Sequence, residues 1–137
     1  MADAGNLNAD STLHFDGTTK ILTADHFQPN KTLLFKAPVA DGNSGVAKTI
    51  DFSAGNQHSL TLTGNVTLTF TAPAGPAELL LVLTQDATGS RLVTWPSTVD
   101  WAGGTAPTLT TTAAHIDIVK LTFDGTRYYG STILDVS

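Results

Sequence analysis

Four histidines, a single glutamate and a scatter of aspartates are the residues here that could hold a metal or move a proton. His14, His26, His58 and His115 stand far apart, with no pair at metal-ligand spacing and no H-E-x-x-H. There is no G-x-S-x-G elbow and no P-loop. A glycosidase needs two carboxylates flanking the cleaved bond. Glu78 is the sole glutamate, and Asp41, Asp86 and Asp124 lie in turn sequences, where a carboxylate usually bonds the local backbone. Asp100, between Trp95 and Trp101, is the best candidate for a sugar site, because aromatic faces stack on sugars. The preferred alternative has both tryptophans plugging the end of a β-sandwich while Asp100 caps a turn. The expectation is therefore no catalytic residue, no cofactor, no metal and no enzymatic activity.

The elements that would position these residues are strands. In "SLTLTGNVTLTF", Ser59 to Phe70, Leu60, Leu62, Val66, Leu68 and Phe70 take the even positions and threonines most of the odd ones. Such alternation is a half-buried strand with one apolar face. A two-residue turn at Gly64-Asn65 would pair Leu with Thr, so the stretch is expected to be a hairpin with an odd loop, or one strand jogged by a bulge at Gly64. "TLLFKAP" is expected to be a strand stopped by Pro38, "VADGNSGV" a loop, and "KTIDFSAG" a strand. Leu79 to Leu83 are apolar throughout, which marks a central strand covered on both faces. "RLVTWPS" should return from it, "TVDWAGGTAPTLTTTAA" should be a long loop, and "HIDIVKLTF" with "TRYYGSTIL" a closing hairpin around Asp124-Gly125. Of the neighbours Tyr128 and Tyr129, one should be buried and the other should serve a partner surface.

About eight strands, no helical periodicity and frequent turns predict an all-β fold, an antiparallel β-sandwich or jelly roll, over residues 31–137. Residues 1–30 are rich in Ala, Asp, Asn and Thr and are expected to form an extended N-terminal arm with one small hairpin at Asp16-Gly17, or a frayed terminus. Leu-x-Phe-Asp-Gly-Thr occurs at Leu13 and again at Leu121, as one turn solution used twice rather than an internal repeat.

The 137 residues carry a net charge of −5, and the seven Lys and Arg form no cluster, so neither nucleic acid nor an anionic membrane is an expected partner. No apolar run is long enough to span a bilayer and no signal peptide is evident, so assembly in the cytoplasm is expected. Charged residues make up 14%, against about 25% in an ordinary soluble domain. Either threonine serves as the solvated group, or partners cover much of the surface.

The stretch from about Phe52 to Gly130 resembles a β-rich module that recurs in structural proteins of tailed bacteriophages, often near the C-termini of tail-fibre and minor tail proteins. "GNVTLTF", "LVLTQDATG", "VTWP", "GGTAPTLT" and the Asp-Gly turn before "YYG" carry the resemblance. It implies a non-enzymatic virion protein and transfers no binding residue. The module usually ends a long protein, whereas here it makes up a little over half of a 137-residue chain. The first expectation is thus a capsid decoration (cement) protein, a homotrimer that clamps capsomers by contacting the major capsid protein or another virion protein. A tail-tip or fibre-tip adhesin is the alternative, and a polysaccharide-cleaving enzyme a weaker one. Candidate partner contacts are Asp3, Asn6, Leu7, Leu13, Phe15, Trp101 and Tyr129.

Overall fold

The computed structural model describes residues 13–18, 21–24 and 34–137. The chain divides into two compact units, Met1–Phe35 and Lys36–Ser137. In the first, β1 (Leu13–Asp16) pairs antiparallel with β2 (Ile21–Ala24), Asp16 opposite Ile21, which is the expected small hairpin. Asp3, Asn6 and Leu7 lie outside the described residues.

The second unit is built from β3 (Val39–Asn43), β4 (Ala47–Asp51), β5 (Gln57–Leu62), β6 (Val66–Thr71), β7 (Ala77–Gln85), β8 (Val93–Thr94), β9 (Val99–Trp101), β10 (Ile116–Phe123) and β11 (Tyr128–Ile133). One sheet has the order β3-β5-β7-β10-β11-β9 and a second the order β4-β6-β8. Consecutive strands up to β8 therefore alternate between the sheets. β3, β5 and β7 run parallel, as do β4, β6 and β8. Each strand–turn–strand unit is an arch, and three arches stack, the second following the first by 18–20 residues, as in Ala47 opposite Thr67, and the third following the second by 23–27, as in Val66 opposite Val93. The β7–β10–β11 meander closes the larger sheet with antiparallel pairing, and β9 adds a parallel edge.

The all-β class stands, and the antiparallel expectation is corrected. Five of the eight strand pairings among the described residues are parallel, and residues 34–137 form nine strands where about eight were expected. The opening stretch shows why. Leu60, Leu62, Val66 and Leu68 are all buried, as their alternation demands. Yet β5 and β6 do not pair with each other, because Gly64-Asn65 sends the chain to the other sheet. An arch makes the two apolar faces meet through side chains, which satisfies the same polarity pattern as a hairpin without its hydrogen bonds.

The stacked turns hold one another. Thr63 N donates to Ser44 Oγ at 3.0 Å, and Leu92 N donates to Asn65 Oδ1 at 3.0 Å. A Cβ on Gly64 would lie 2.9 Å from Gly45 O, so glycine permits the close approach of successive turns. Three further expectations change accordingly. Residues 34–38 are not a strand, "VADGNSGV" contributes β3, and "RLVTWPS" returns to β6 rather than to β7. The long loop after Pro96 contains β9 and a 3₁₀ turn, Ala102–Gly104.

Both sheets feed one core, with Ile50, Phe52, Val66 and Leu68 from one side and Leu60, Leu81, Val119, Leu121 and Tyr128 from the other. Thr67, Thr69 and Thr71 are exposed on the outside of the smaller sheet, where Thr49 and Thr69 pair hydroxyls at 2.7 Å. Threonine thus lines the exposed outer face of that sheet. β7 lies third of six strands, the expected central position. On its outer side Leu80 and Val82 are half-buried, with Lys120 opposite Leu80 and Ile118 opposite Val82, and register carries the row from Val82 through Ile118 to Ile133.

Candidate functional site

Edge strand β9 gathers the chemistry-bearing residues. It runs parallel to β11 with Val99 opposite Tyr128, Asp100 opposite Tyr129 and Trp101 opposite Gly130. Strand alternation sends Val99 and Trp101 to the core side and Asp100 outward. Trp101 packs half-buried against the core, and Trp95 meets its ring edge-on at 5.1 Å and 65°. Both tryptophans therefore pack at the margin of the core, in line with their structural reading.

Beside Trp101 lies an open pocket of about 240 Å³, lined by Trp101, Ala102, Thr105, Pro107, Gly130 and the hydroxyl residues Ser131 and Thr132. A Cβ at Gly130 would fall 2.4 Å from a Trp101 ring carbon, so the bare backbone there is what admits the indole. No charged residue lines the pocket.

Asp100 belongs to a different surface. Arg127 donates Nε to Asp100 Oδ2 at 2.6 Å and Nη2 to the other carboxylate oxygen, and Nη2 also reaches Ser97 O at 3.2 Å. The hydrogen bond from Arg127 holds the Asp100 carboxyl below its ordinary range. Asp124 accepts the backbone N–H groups of Thr126 and Arg127, each at 2.8 Å, and the Tyr129 hydroxyl at 2.8 Å. The backbone bonds, led by Arg127, lower its pKa, while the bond to Asp124 raises that of the Tyr129 phenol. Asp100 is therefore an ionised, doubly bonded partner of arginine rather than a proton donor. Glu78, Thr122, Tyr129 and Asp100 form one register row across four strands. Three strand spacings put Glu78 and Asp100 about 14 Å apart at their backbones, wider than the roughly 5–9.5 Å of a glycosidase carboxyl pair. Glu78 accepts the Thr122 hydroxyl at 3.0 Å.

The histidines have separate structural surroundings. His58 is fully buried, with Nδ1 2.9 Å from Asp41 Oδ2, Nε2 3.1 Å from Gly55 O and its ring edge-on to Phe52 at 5.1 Å. His115 pairs with Asp135. His14 stands on β1, and His26 lies outside the described residues. Among the described residues, no group of three His, Cys, Asp or Glu is placed to hold a metal, and no helix is long and apolar enough to cross a membrane.

Of the expected contact residues, Leu13 and Phe15 stand on β1 in the first unit. Trp101 and Tyr129 come from adjoining strands but point to opposite sides, Trp101 into the pocket wall and Tyr129, 49% exposed, outward. Tyr128 is the buried member of its pair. Sequence reasoning missed Thr105, Pro107, Gly130, Ser131 and Thr132. The signal for them was Gly130, a glycine inside a strand, which commonly marks the close approach of another group.

Residues 47–128 match the sequence profile of a family described as "Putative phage tail fibre C-terminal domain". No curated protein and no solved structure matches the chain.

Proposed function

Because the chain belongs to the phage tail fibre C-terminal domain family, we propose that it serves as a receptor-facing module at the tip of a tail fibre. The observation that carries this reading is the family match itself, which runs from the start of β4 to the first residue of β11 and so includes most of the stacked arches and the closing meander. It makes the chain a component of the virion. It favours the tail over the head, so the decoration of capsids expected first gives way to the fibre-tip alternative.

The proposed action is binding without turnover. Asp100 is tied to Arg127 and stands far from Glu78, which supports a non-enzymatic role. The proposed partners are other copies of the chain and a molecule on the host surface. Self-association is supported by the apolar row Val82, Ile118, Ile133 on the outer side of the larger sheet, half-buried at Val82 and Ile118 and exposed at Ile133, and by the low charged fraction of 14%. A sheet whose central strand is apolar on both faces is normally covered on both faces.

Copy number per virion from a quantified gel, together with immunogold labelling, tests the reading. A few copies at the fibre tips, and purified protein that blocks phage adsorption, are expected. Hundreds of copies on the head would overturn it.

A further inference from the structure

The pocket beside Trp101 sits on the core side of edge strand β9, away from the Asp100–Arg127 pair, and its lining selects a kind of ligand. We infer that it binds one neutral hexopyranose ring, which on the fibre-tip reading, on which the biological source of the ligand rests, is part of a host surface glycan.

Size comes first. The pocket holds about 240 Å³, below the roughly 300–1,000 Å³ of sites for drug-sized ligands, so it suits a single ring. Charge comes second. With no Lys, Arg, Asp or Glu in the lining, a phosphate, a sialic acid or an ammonium group would be desolvated there without a counter-charge. The net charge of −5 further disfavours a nucleotide.

The pattern of groups comes third. Trp101 and Pro107 offer apolar surface, Thr105 and Thr132 bring hydroxyls to the same opening, and Ser131, whose side chain alternates to the other face of β11, lines it with its backbone. Neither of these hydroxyls takes part in a hydrogen bond with another protein group among the described residues, so each can both donate to and accept from a ligand. A purely aliphatic ligand would leave them unsatisfied. A pyranose has an apolar patch of C–H groups, which the negative face of an aromatic ring attracts, and a rim of hydroxyls.

Rigidity comes last. Trp101 is held by Trp95 at 5.1 Å, by the core and by the close fit over Gly130, so little order has to be created on binding. The rim is open. Gly103 and Gly104 adopt φ of +73° and +75°, and a Cβ on either would meet nothing within 4 Å.

The test uses the full chain and the methyl glycosides of glucose, galactose, mannose and rhamnose, with N-acetylneuraminic acid and glycerol as controls. Binding is read by tryptophan fluorescence and by saturation-transfer NMR. At least one neutral glycoside should bind with a dissociation constant on the order of 1 mM, since a single ring offers few contacts. Neither control should bind. Thr132→Val and Thr105→Val, which keep shape and remove a hydroxyl, should each weaken binding by about tenfold, as loss of one good hydrogen bond does. Trp101→Ala should abolish it. If no neutral glycoside gives a saturable signal, or if the two valine variants bind unchanged, the inference is overturned. Adsorption blocking separates the two readings. Protein that blocks adsorption yet binds no glycoside leaves the fibre-tip reading standing and sinks this one, which would point to a protein receptor. Glycoside binding without any blocking upholds the pocket and sinks the fibre-tip reading.

Discussion

The indole of Trp101 occupies the space that any side chain at Gly130 would need. The two residues are register partners on adjoining parallel strands, and a Cβ on Gly130 would meet three ring carbons at 2.4, 2.7 and 2.8 Å. Gly130→Ala must displace the ring or bend the β9 edge. Overpacking of this kind costs about 1–3 kcal/mol. The urea midpoint should fall accordingly, and the near-UV dichroism of the tryptophans should change. A variant with the parent midpoint and spectrum would show that the ring is not held there.

Tyr128 offers the opposite case. Its ring is buried among Phe52, Phe70 and Phe123, and its hydroxyl has no hydrogen-bond partner among the described residues. Burial also raises the pKa of the phenol. Tyr128→Phe removes a desolvated polar group and keeps the shape, so stability should stay level or rise by up to about 1 kcal/mol. A loss of more than that, measured by denaturant unfolding, would reveal a partner for the hydroxyl.

His58 ties β3 to the arches above it. Its ring nitrogens face the Asp41 carboxylate and the Gly55 carbonyl, with no exposure of the imidazole. Asp41→Ala leaves one side of a buried polar ring unsatisfied, at a cost of about 1–3 kcal/mol. Asp51→Ala, an exposed control that loses two turn bonds from Ser53, should cost less. Equal losses in the two variants would argue against a structural clamp at His58.

The acid limb of stability should depend on three aspartates. Hydrogen bonds lower the carboxyl pKa of Asp86 and Asp100, from Arg91 and Arg127 respectively, and of Asp124, from the backbone of Arg127 and Thr126. A folded pKa below the unfolded one stabilises above the unfolded value, near 4, and the contribution is lost as pH falls through the folded value. The melting temperature should therefore hold from neutral pH to about 4 and drop below it. Asp100→Asn should flatten that drop, and an unchanged acid limb would contradict the role given to Arg127. Tyr129 acts on the alkaline side. Its phenol pKa is raised, chiefly by the bond to Asp124, so its contribution is full below about 10 and lost as pH rises through the folded value.

Self-association through the outer face of the larger sheet makes a distinct prediction. Ile118 sits in the apolar row between Val82 and Ile133, with a half-buried side chain. Ile118→Lys places a charge in that row and should shift the chain to monomers in light scattering after size exclusion. Circular dichroism should be unchanged. A persistent oligomer in a folded variant would move the contact elsewhere.

Which faces are buried was legible in the sequence, while strand pairing was not. Leu60, Leu62, Val66 and Leu68 all point inward as their alternation required, and the Asp124-Gly125 hairpin lies where its turn residues put it. The arches were hidden because side-chain period reports only which face is buried, and a hairpin and an arch at Gly64-Asn65 bury the same residues. β3 was hidden because its edge position tolerates Asp41, Gly42 and Asn43, residues that otherwise signal a loop. Trp101 was visible as a candidate, but its pocket was not. Pro107 and Thr105 follow it along a loop, whereas Ser131 and Thr132 reach it only through the parallel pairing of β9 with β11. A parallel edge strand three residues long leaves almost no periodicity to detect.

The stacked arches leave the height of the domain adjustable. Each storey rests on its immediate neighbour, with Ala47 on Thr67 and Val66 on Val93, and the aromatic cluster around Tyr128 engages only part of the pile. A further storey inserted in register would therefore leave the face at the closing end as it is.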